Sequence, residues 1–157
     1  MKKLFILIMC CMTMTAYAQK SRNISSFHEK DVECLGVELD GSQTLRVQGS
    51  GRKKEDAMEQ AKKNAVWAVI FTGIRGGRSG CDMRPLVNEA NARDKYEAYF
   101  NKFFTDGGDF LKFVSMDQQK IRSKEKSKNK FVKNYTITVR VLRPQLKEQL
   151  ISDNIIK

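Results

Sequence analysis

The sequence predicts a single α+β domain, with an antiparallel sheet of about four strands, the element order β-β-α-α-β-β-α, and helices packed on one face. Residues 32–48 and 131–142 alternate apolar and polar side chains, as half-buried strands do. Residues 55–71 and 88–105 instead place apolar side chains every three or four positions, as amphipathic helices do. Because hairpins lie on either side of a helical pair, neighbouring strands are expected to pair antiparallel.

Two alternating runs joined by a turn predict the first hairpin. The runs span residues 32–39 and 44–48, and Asp40-Gly41 between them supplies the positive φ of a tight turn. The side chains expected to face inward are Leu35, Val37 and Leu39 in the first strand and Leu45 and Val47 in the second.

A stripe of small side chains marks the first helix, over residues 55–71. The stripe consists of Ala57, Ala61, Ala65, Ala68 and Thr72. Small side chains let a helix approach a neighbouring element closely, so this helix is expected to be the most buried of the domain. Gly73 is its expected end.

An aromatic face predicts the second helix, over residues 88–105, and core packing explains that face better than a ligand platform does. The face consists of Tyr96, Tyr99, Phe100, Phe103 and Phe104. Strands are then predicted over residues 110–122 and 131–142, and a short last helix begins near Pro144.

Residues 1–18 have the organisation of a secretory signal peptide. Lys2 and Lys3 precede an apolar run, and Ala16-Tyr17-Ala18 provides a small-x-small cleavage signal before Gln19. We therefore expect a signal peptide over residues 1–18, a flexible lead over residues 19–30 and one domain over residues 31–157. The mature chain is expected in the periplasm or outside the cell.

An outer-membrane lipoprotein is the less favoured alternative. Cys10 and Cys11 lie inside the apolar run, but neither follows the small residue that lipoprotein processing requires. The run is also shorter than the roughly 20 apolar residues of a membrane-spanning helix. No integral membrane span is expected in the mature chain.

Positive charge is concentrated in the last third of the chain. The whole sequence carries a net charge of +11, and residues 120–157 account for +8 of it. Basic residues occupy every second position at Lys120, Arg122, Lys124, Lys126, Lys128 and Lys130. In an extended strand this basic ridge would lie on one face and could contact a polyanion, although a solvated hairpin tip is the favoured interpretation.

A glycine-rich loop follows the first helix, over residues 73–86. Its glycines could turn backbone N–H groups inward while Arg75 and Arg78 clamp an anion. The loop lacks the Lys-Ser/Thr ending of a P-loop, and it follows a helix rather than a strand. A mobile interhelical loop is therefore the favoured interpretation, and an anion site is the alternative.

The few cysteine and histidine residues limit the kinds of metal site and catalytic site that the sequence can form. Cys34 and Cys81 remain after cleavage, and they could form one disulfide or be two small apolar residues. His28 is the only histidine, and no cluster has the spacing of metal ligands or of a nucleophile with its base. We expect no enzymatic activity and no cofactor.

One pattern resembles a family of bacterial envelope domains. Residues 47–51 form a strand ending in glycines, an alanine-striped helix follows, and residues 135–141 form a late strand before a short helix. This arrangement is similar to small envelope lipoproteins and to the N-terminal domain of flagellar assembly protein T. The aromatic helix and the basic ridge depart from that pattern.

The resemblance implies a non-catalytic role in assembly or binding, so we expect a domain that docks onto an envelope or cell-surface partner. The alternative is a polyanion-binding protein that uses its basic last third. Its ligand would be lipopolysaccharide headgroups, extracellular nucleic acid or an acidic protein.

Overall fold

The computed structural model describes residues 32–116, 122–125 and 133–157, which form an α+β domain. Its strands are β1 (Glu33–Val37), β2 (Gln43–Gly51), β3 (Gly76–Gly77), β4 (Val114–Met116), β5 (Arg122–Glu125) and β6 (Lys133–Val141). Its α-helices are α1 (Lys54–Trp67), α2 (Ala92–Lys95), α3 (Glu97–Phe103) and α4 (Arg143–Ser152). The predicted signal peptide and flexible lead lie outside the described residues.

The sheet has the strand order β3-β1-β2-β6-β4, and β5 pairs with the same edge of β6 as β4 does. Its central ladder joins β2 to β6 antiparallel over their full lengths. The prediction of a purely antiparallel sheet of four strands is wrong, because β3 pairs parallel to β1, with Glu33 opposite Gly76. The loop after α1 returns along the sheet edge and supplies this additional strand.

Helix α1 lies unusually close to β2, as its small side chains predict. A Cβ atom at Gly49 would overlap the carbonyl oxygen of Ala57 and lie 2.5 Å from the backbone nitrogen of Ala61. The buried Asn64 side chain donates a hydrogen bond of 2.9 Å from Nδ2 to the Gln48 carbonyl. Helix and strand are thus joined by backbone contact and by a buried polar bond.

Replacing Gly49 with alanine should destabilise the domain by about 1 to 3 kcal/mol, because α1 must move away from β2 to admit the methyl group. Gly36→Ala is the matched control, since a Cβ there meets nothing within 4 Å. Urea unfolding of both variants measures the difference. Equal midpoints for the two variants would contradict the close approach.

The inward face predicted for β1 is wrong. Leu39 is fully exposed in the turn and Val37 is 45% exposed, whereas Val32 and Cys34 are buried. A register shift between Cys34 and Gly36 leaves Leu35 as an extra residue in the ladder. Cys34, opposite Leu45, and Val37, opposite Gln43, therefore lie on the same face of the sheet, and Val37 is exposed at the end of the strand.

The second helix is shorter than predicted and is interrupted. The backbone of Tyr96 leaves helical geometry, with φ −113° and ψ 28°, and separates α2 from α3. Before α2, the N–H groups of Leu86 and Val87 bond to the carbonyls of Val69 and Ile70. These carbonyls belong to a π-helical turn, Ala68–Thr72, that continues α1.

The predicted strand over residues 110–122 begins later than expected. Asp109–Phe113 forms a 3₁₀-helix, which buries Phe110 and Phe113 together, and only Val114–Met116 then joins the sheet. Strand β6 and helix α4 lie where the sequence predicts them. Within the described ranges, no helix combines the length and apolar character needed to cross a membrane.

Candidate functional site

A disulfide fastens the loop after α1 to the edge of the sheet. Cys34 in β1 is bonded to Cys81, with their Cα atoms 6.4 Å apart. Nearby, the Arg78 N–H donates a hydrogen bond of 3.0 Å to the Cys34 carbonyl. The close packing excludes any side chain at Gly77, whose added Cβ would overlap the backbone of Cys34. The sheet edge therefore fixes this side of the loop.

The other side of the loop is held at the end of α1. Gly73 has a φ of +74° and turns the chain, and the Ile74 N–H then bonds to the Met83 carbonyl at 3.0 Å. A Cβ at Gly73 would lie 2.6 Å from that same oxygen. With both sides anchored, the Asp82–Arg84 segment is held in a defined position at the surface.

This segment forms one wall of a cleft of about 570 Å³. The β1–β2 turn, the start of α4 and residues 156–157 form the other walls. Its apolar lining consists of Val37, Pro85, Leu86, Pro144 and Ile156. Its polar lining includes Gln43 and Asp82 together with the basic residues Arg84, Arg143, Lys147 and Lys157.

Arg143 connects the walls of the cleft. Its Nη2 donates to Asp82 Oδ2 at 2.8 Å and to the Arg84 carbonyl at 2.7 Å. Gln43 approaches the same segment from β2 and donates from Nε2 to the Asp82 carbonyl at 3.0 Å. Asp82 is thus bonded through its side chain to Arg143 and through its backbone to Gln43.

Two buried polar atoms beside this network have no hydrogen-bond partner among the described residues. They are Arg143 Nη1, a donor, and Gln43 Oε1, an acceptor. The residues that bear them are 9% and 1% exposed, respectively. Asn101 Oδ1, outside the cleft, is a third such atom. Since buried polar groups in folded proteins are nearly always hydrogen-bonded, two unpaired atoms beside one network make the cleft a candidate binding site.

The start of α4, which carries Arg143, is held in place by neighbouring elements. Strand β6 ends at Val141, and the Leu142 N–H bonds to the Phe113 carbonyl at 2.9 Å. Pro144 then supplies the fixed φ of a first helical turn. An added Cβ at Gly41 would lie 3.0 Å from Pro144 Cγ, so the β1–β2 turn packs closely on this turn of the helix.

A second polar cluster stiffens the β1–β2 turn beside the cleft. Asp40 Oδ1 accepts hydrogen bonds from the Ser42 hydroxyl at 2.6 Å and from the Ser42 N–H at 3.0 Å. Asp40 Oδ2 accepts one from Arg140 at 2.7 Å. The bonds from Ser42, and then the one from Arg140, lower the pKa of Asp40 from its ordinary 3.8 to about 2.

The lowered pKa of Asp40 predicts a loss of stability in acid. The stabilisation is present above the unfolded-state pKa near 4 and is lost as the pH falls through the folded-state value of about 2. Asp40→Asn lacks this ionisation, so its stability deficit relative to wild type should shrink between pH 4 and pH 2. Denaturation midpoints over that range measure it. A constant deficit would contradict the prediction.

The residues predicted from sequence as anion ligands occupy other places. Arg75 and Arg78 are exposed on the loop, and neither lines the cleft. In β5, Arg122 pairs with Thr136 and Lys124 with Tyr135, so a register shift interrupts the regular alternation assumed for the ridge. The remaining ridge residues, Lys120, Lys126, Lys128 and Lys130, lie outside the described residues.

Sequence reasoning did not identify Gln43, Asp82 or Arg143 as site residues. One signal was available, because Gln43 precedes Leu45 and Val47 by two and four positions and therefore lies on the buried face of β2. A polar side chain on a buried face needs a partner. Asp82 and Arg143 have no comparable local signal.

The described residues thus define a disulfide-bonded α+β domain with a basic cleft at one end of its sheet. Among these residues, no group of three or more His, Cys, Asp and Glu side chains is placed to hold a metal ion. Comparison with protein-family models, curated proteins and solved structures found no match to this chain. The resemblance to envelope domains stays a prediction from the sequence.

Proposed function

We propose that this protein is an exported, non-catalytic domain of the bacterial envelope that docks onto a protein partner through the basic cleft. The observation that supports docking most directly is the buried Arg143, whose guanidinium lines the cleft with one nitrogen unpaired within the described structure. Arginine is well suited to interfaces because its planar group binds oxygen acceptors in pairs.

The disulfide supports export. Disulfides persist in the periplasm and outside the cell, whereas the bacterial cytoplasm keeps most thiols reduced. The bond between Cys34 and Cys81 encloses β2 and α1. It is therefore an integral part of the fold, in keeping with the signal peptide predicted at residues 1–18.

Photo-crosslinking in the intact cell envelope tests the docking function. A photoreactive amino acid replaces Lys147, which is exposed and lines the cleft, and in a second strain it replaces Lys102, which is exposed on α3 outside the cleft. We expect one dominant protein adduct from position 147 and none from position 102. Equal adducts from both positions, or none from either, would contradict docking through the cleft.

Polyanion binding is a second candidate, favoured by the net charge of +8 in residues 120–157. Replacing Lys124, Lys126, Lys128 and Lys130 by glutamine should then shorten retention on heparin and flatten its salt dependence, because fewer counterions are released. A variant with four lysines replaced elsewhere, at Lys54, Lys62, Lys102 and Lys112, controls for net charge. Equal retention of the two variants would exclude a specific role for the ridge.

A further inference from the structure

The cleft combines positive charge with apolar walls. Four basic side chains line it, namely Arg84, Arg143, Lys147 and Lys157, and Asp82 is the one acidic side chain in the described lining. The Arg143 side chain is 10% exposed, so its attraction for an anion is screened less than that of a surface lysine. The chemistry of the lining therefore favours a ligand that carries both a negative charge and an apolar group.

The hydrogen-bonding groups of the cleft restrict the chemical class of the ligand further. Arg143 binds Asp82 through Nη2 alone, although a guanidinium pairs best with a carboxylate through two nitrogens. The unpaired Nη1 requires an acceptor and the unpaired Gln43 Oε1 requires a donor. A complementary ligand thus presents a carboxylate oxygen and an N–H group close together.

The last residue of a polypeptide presents all three features on a single Cα atom. It has a free carboxylate, an amide N–H and a side chain, which is apolar in many residue types. An aspartate or glutamate side chain places its carboxylate farther from the backbone N–H. Capture of a terminal carboxylate is an established mode of peptide recognition.

We propose that the cleft binds the C-terminal residue of a partner polypeptide that ends in an apolar side chain. This inference rests on the proposed docking function and names the part of the partner that docks. The terminal carboxylate pairs with Arg143, the last N–H donates to Gln43 Oε1, and the side chain packs between Leu86 and Pro144.

Binding requires an exchange at Arg143. Nη1 and Oε1 are closed to solvent in the free protein, and in the proposed binding they become accessible through a movement of the Asp82 side chain, which bonds to the adjacent Nη2. That side chain is 57% exposed and can turn into water while its backbone carbonyl keeps the bond to Gln43. In the free protein Arg143 thus pairs with the Asp82 carboxylate, and on binding the ligand carboxylate replaces it.

N-acetyl-L-leucine is the smallest probe with the required chemistry. Two matched compounds each lack one feature: N-acetyl-L-leucinamide lacks the carboxylate, and 4-methylpentanoate lacks the N–H. Titration of the full protein followed by NMR should show the probe shifting the Gln43 side-chain amide, with about tenfold tighter binding than either control. Binding of the leucinamide as tight as that of the acid would overturn the inference.

The position of the carboxylate is tested with two peptides of equal charge. Acetyl-Ala-Ala-Leu with a free C terminus should bind, and acetyl-Ala-Asp-Leu-amide should bind at least about tenfold more weakly. Equal affinities would show that the cleft accepts any peptide carboxylate, and the proposal of a terminal residue would be wrong.

Variants test the exchange at Arg143. Asp82→Asn removes the competing carboxylate and should tighten binding of N-acetyl-L-leucine, whereas Lys147→Gln should weaken it about two- to fivefold. Lys102→Gln, outside the cleft, should leave the affinity unchanged. Amide spectra and melting curves establish that each variant is folded. Unchanged affinity in both cleft variants would overturn the inference.

Different experimental results would refute the docking function and the binding of a C-terminal residue. Crosslinks from position 147 in the envelope, together with equal binding of the acid and the leucinamide, would leave docking in place and refute terminal capture. Specific binding of the acid without any crosslinked protein would support a carboxylate site and refute docking onto a protein.

Discussion

Removing the disulfide, by replacing Cys34 and Cys81 with alanine, should lower the free energy of unfolding by about 4 kcal/mol. The bond joins residues 47 positions apart, so it closes a long loop and restricts the unfolded chain substantially. It also fastens β3 and the cleft wall to β1, and both attachments weaken without it. Guanidinium unfolding of the variant beside oxidised wild type measures the loss.

Reduced wild-type protein is the control for the cysteine double variant. It lacks the bond but keeps both sulfur atoms, so it separates the crosslink from the packing of Cys34, which is completely buried. The two proteins should unfold at similar denaturant concentrations. Midpoints that match oxidised wild type would show that the crosslink contributes nothing to stability.

Phe100→Ala should destabilise the domain by about 3 to 5 kcal/mol, because it leaves a cavity where a large side chain was completely buried. The Phe100 ring lies edge-on to Phe71, with centroids 4.7 Å apart, and edge-on to Tyr99 at 5.0 Å. These rings join α3 to the π-helical turn that continues α1. Thermal and urea unfolding measure the effect.

Ile151→Ala provides the comparison for Phe100→Ala. Ile151 is another large apolar residue on a helix, but it is 44% exposed, so its truncation should cost less than about 1 kcal/mol. Similar losses in the two variants would mean that the aromatic cluster does not form the core described above.

The parts of the fold predicted from sequence are those in which local pattern and tertiary environment agree. Asp40-Gly41 specifies the first turn, and Gly41 adopts the positive φ that this requires. The alanine stripe of α1 indicates close approach, and Gly49 in β2 provides the complementary surface. The alternation predicted for β6 is confirmed because one face of that strand packs against α1.

The parts that could not be predicted depend on distant residues. Nothing near Gly76–Gly77 marks a strand, since two glycines pair with β1 only because the loop is fastened there. The interruption of the helix at Tyr96 is not marked by a glycine or a proline nearby in the sequence. Likewise, Phe110 and Phe113 are compatible with a strand, and tertiary packing selects the 3₁₀-helix instead.

The cleft was beyond sequence reasoning for the same physical reason. Gln43 and Asp82 are 39 positions apart in the sequence, and Asp82 and Arg143 are 61 positions apart. Only the folded chain brings the three residues together. A conspicuous run of lysines attracts attention in a sequence, whereas a single buried arginine does not. Its importance comes from its low exposure and its unpaired nitrogen, which are properties of the tertiary structure.

The central ladder of the sheet constrains the order in which the domain can be assembled. β2 pairs with β6 from Gln43 opposite Val141 to Gly51 opposite Lys133, so its partner strand is synthesised long after β2 itself. Until β6 arrives, β2 presents a free edge on which another chain could pair. The disulfide between Cys34 and Cys81 can form before β6 is present, because both cysteines precede β6 in the chain. Once formed, it restrains the segment that contains β2. The free edge of β2 therefore persists until the last strand is delivered, and the risk of aggregation is greatest before the disulfide closes.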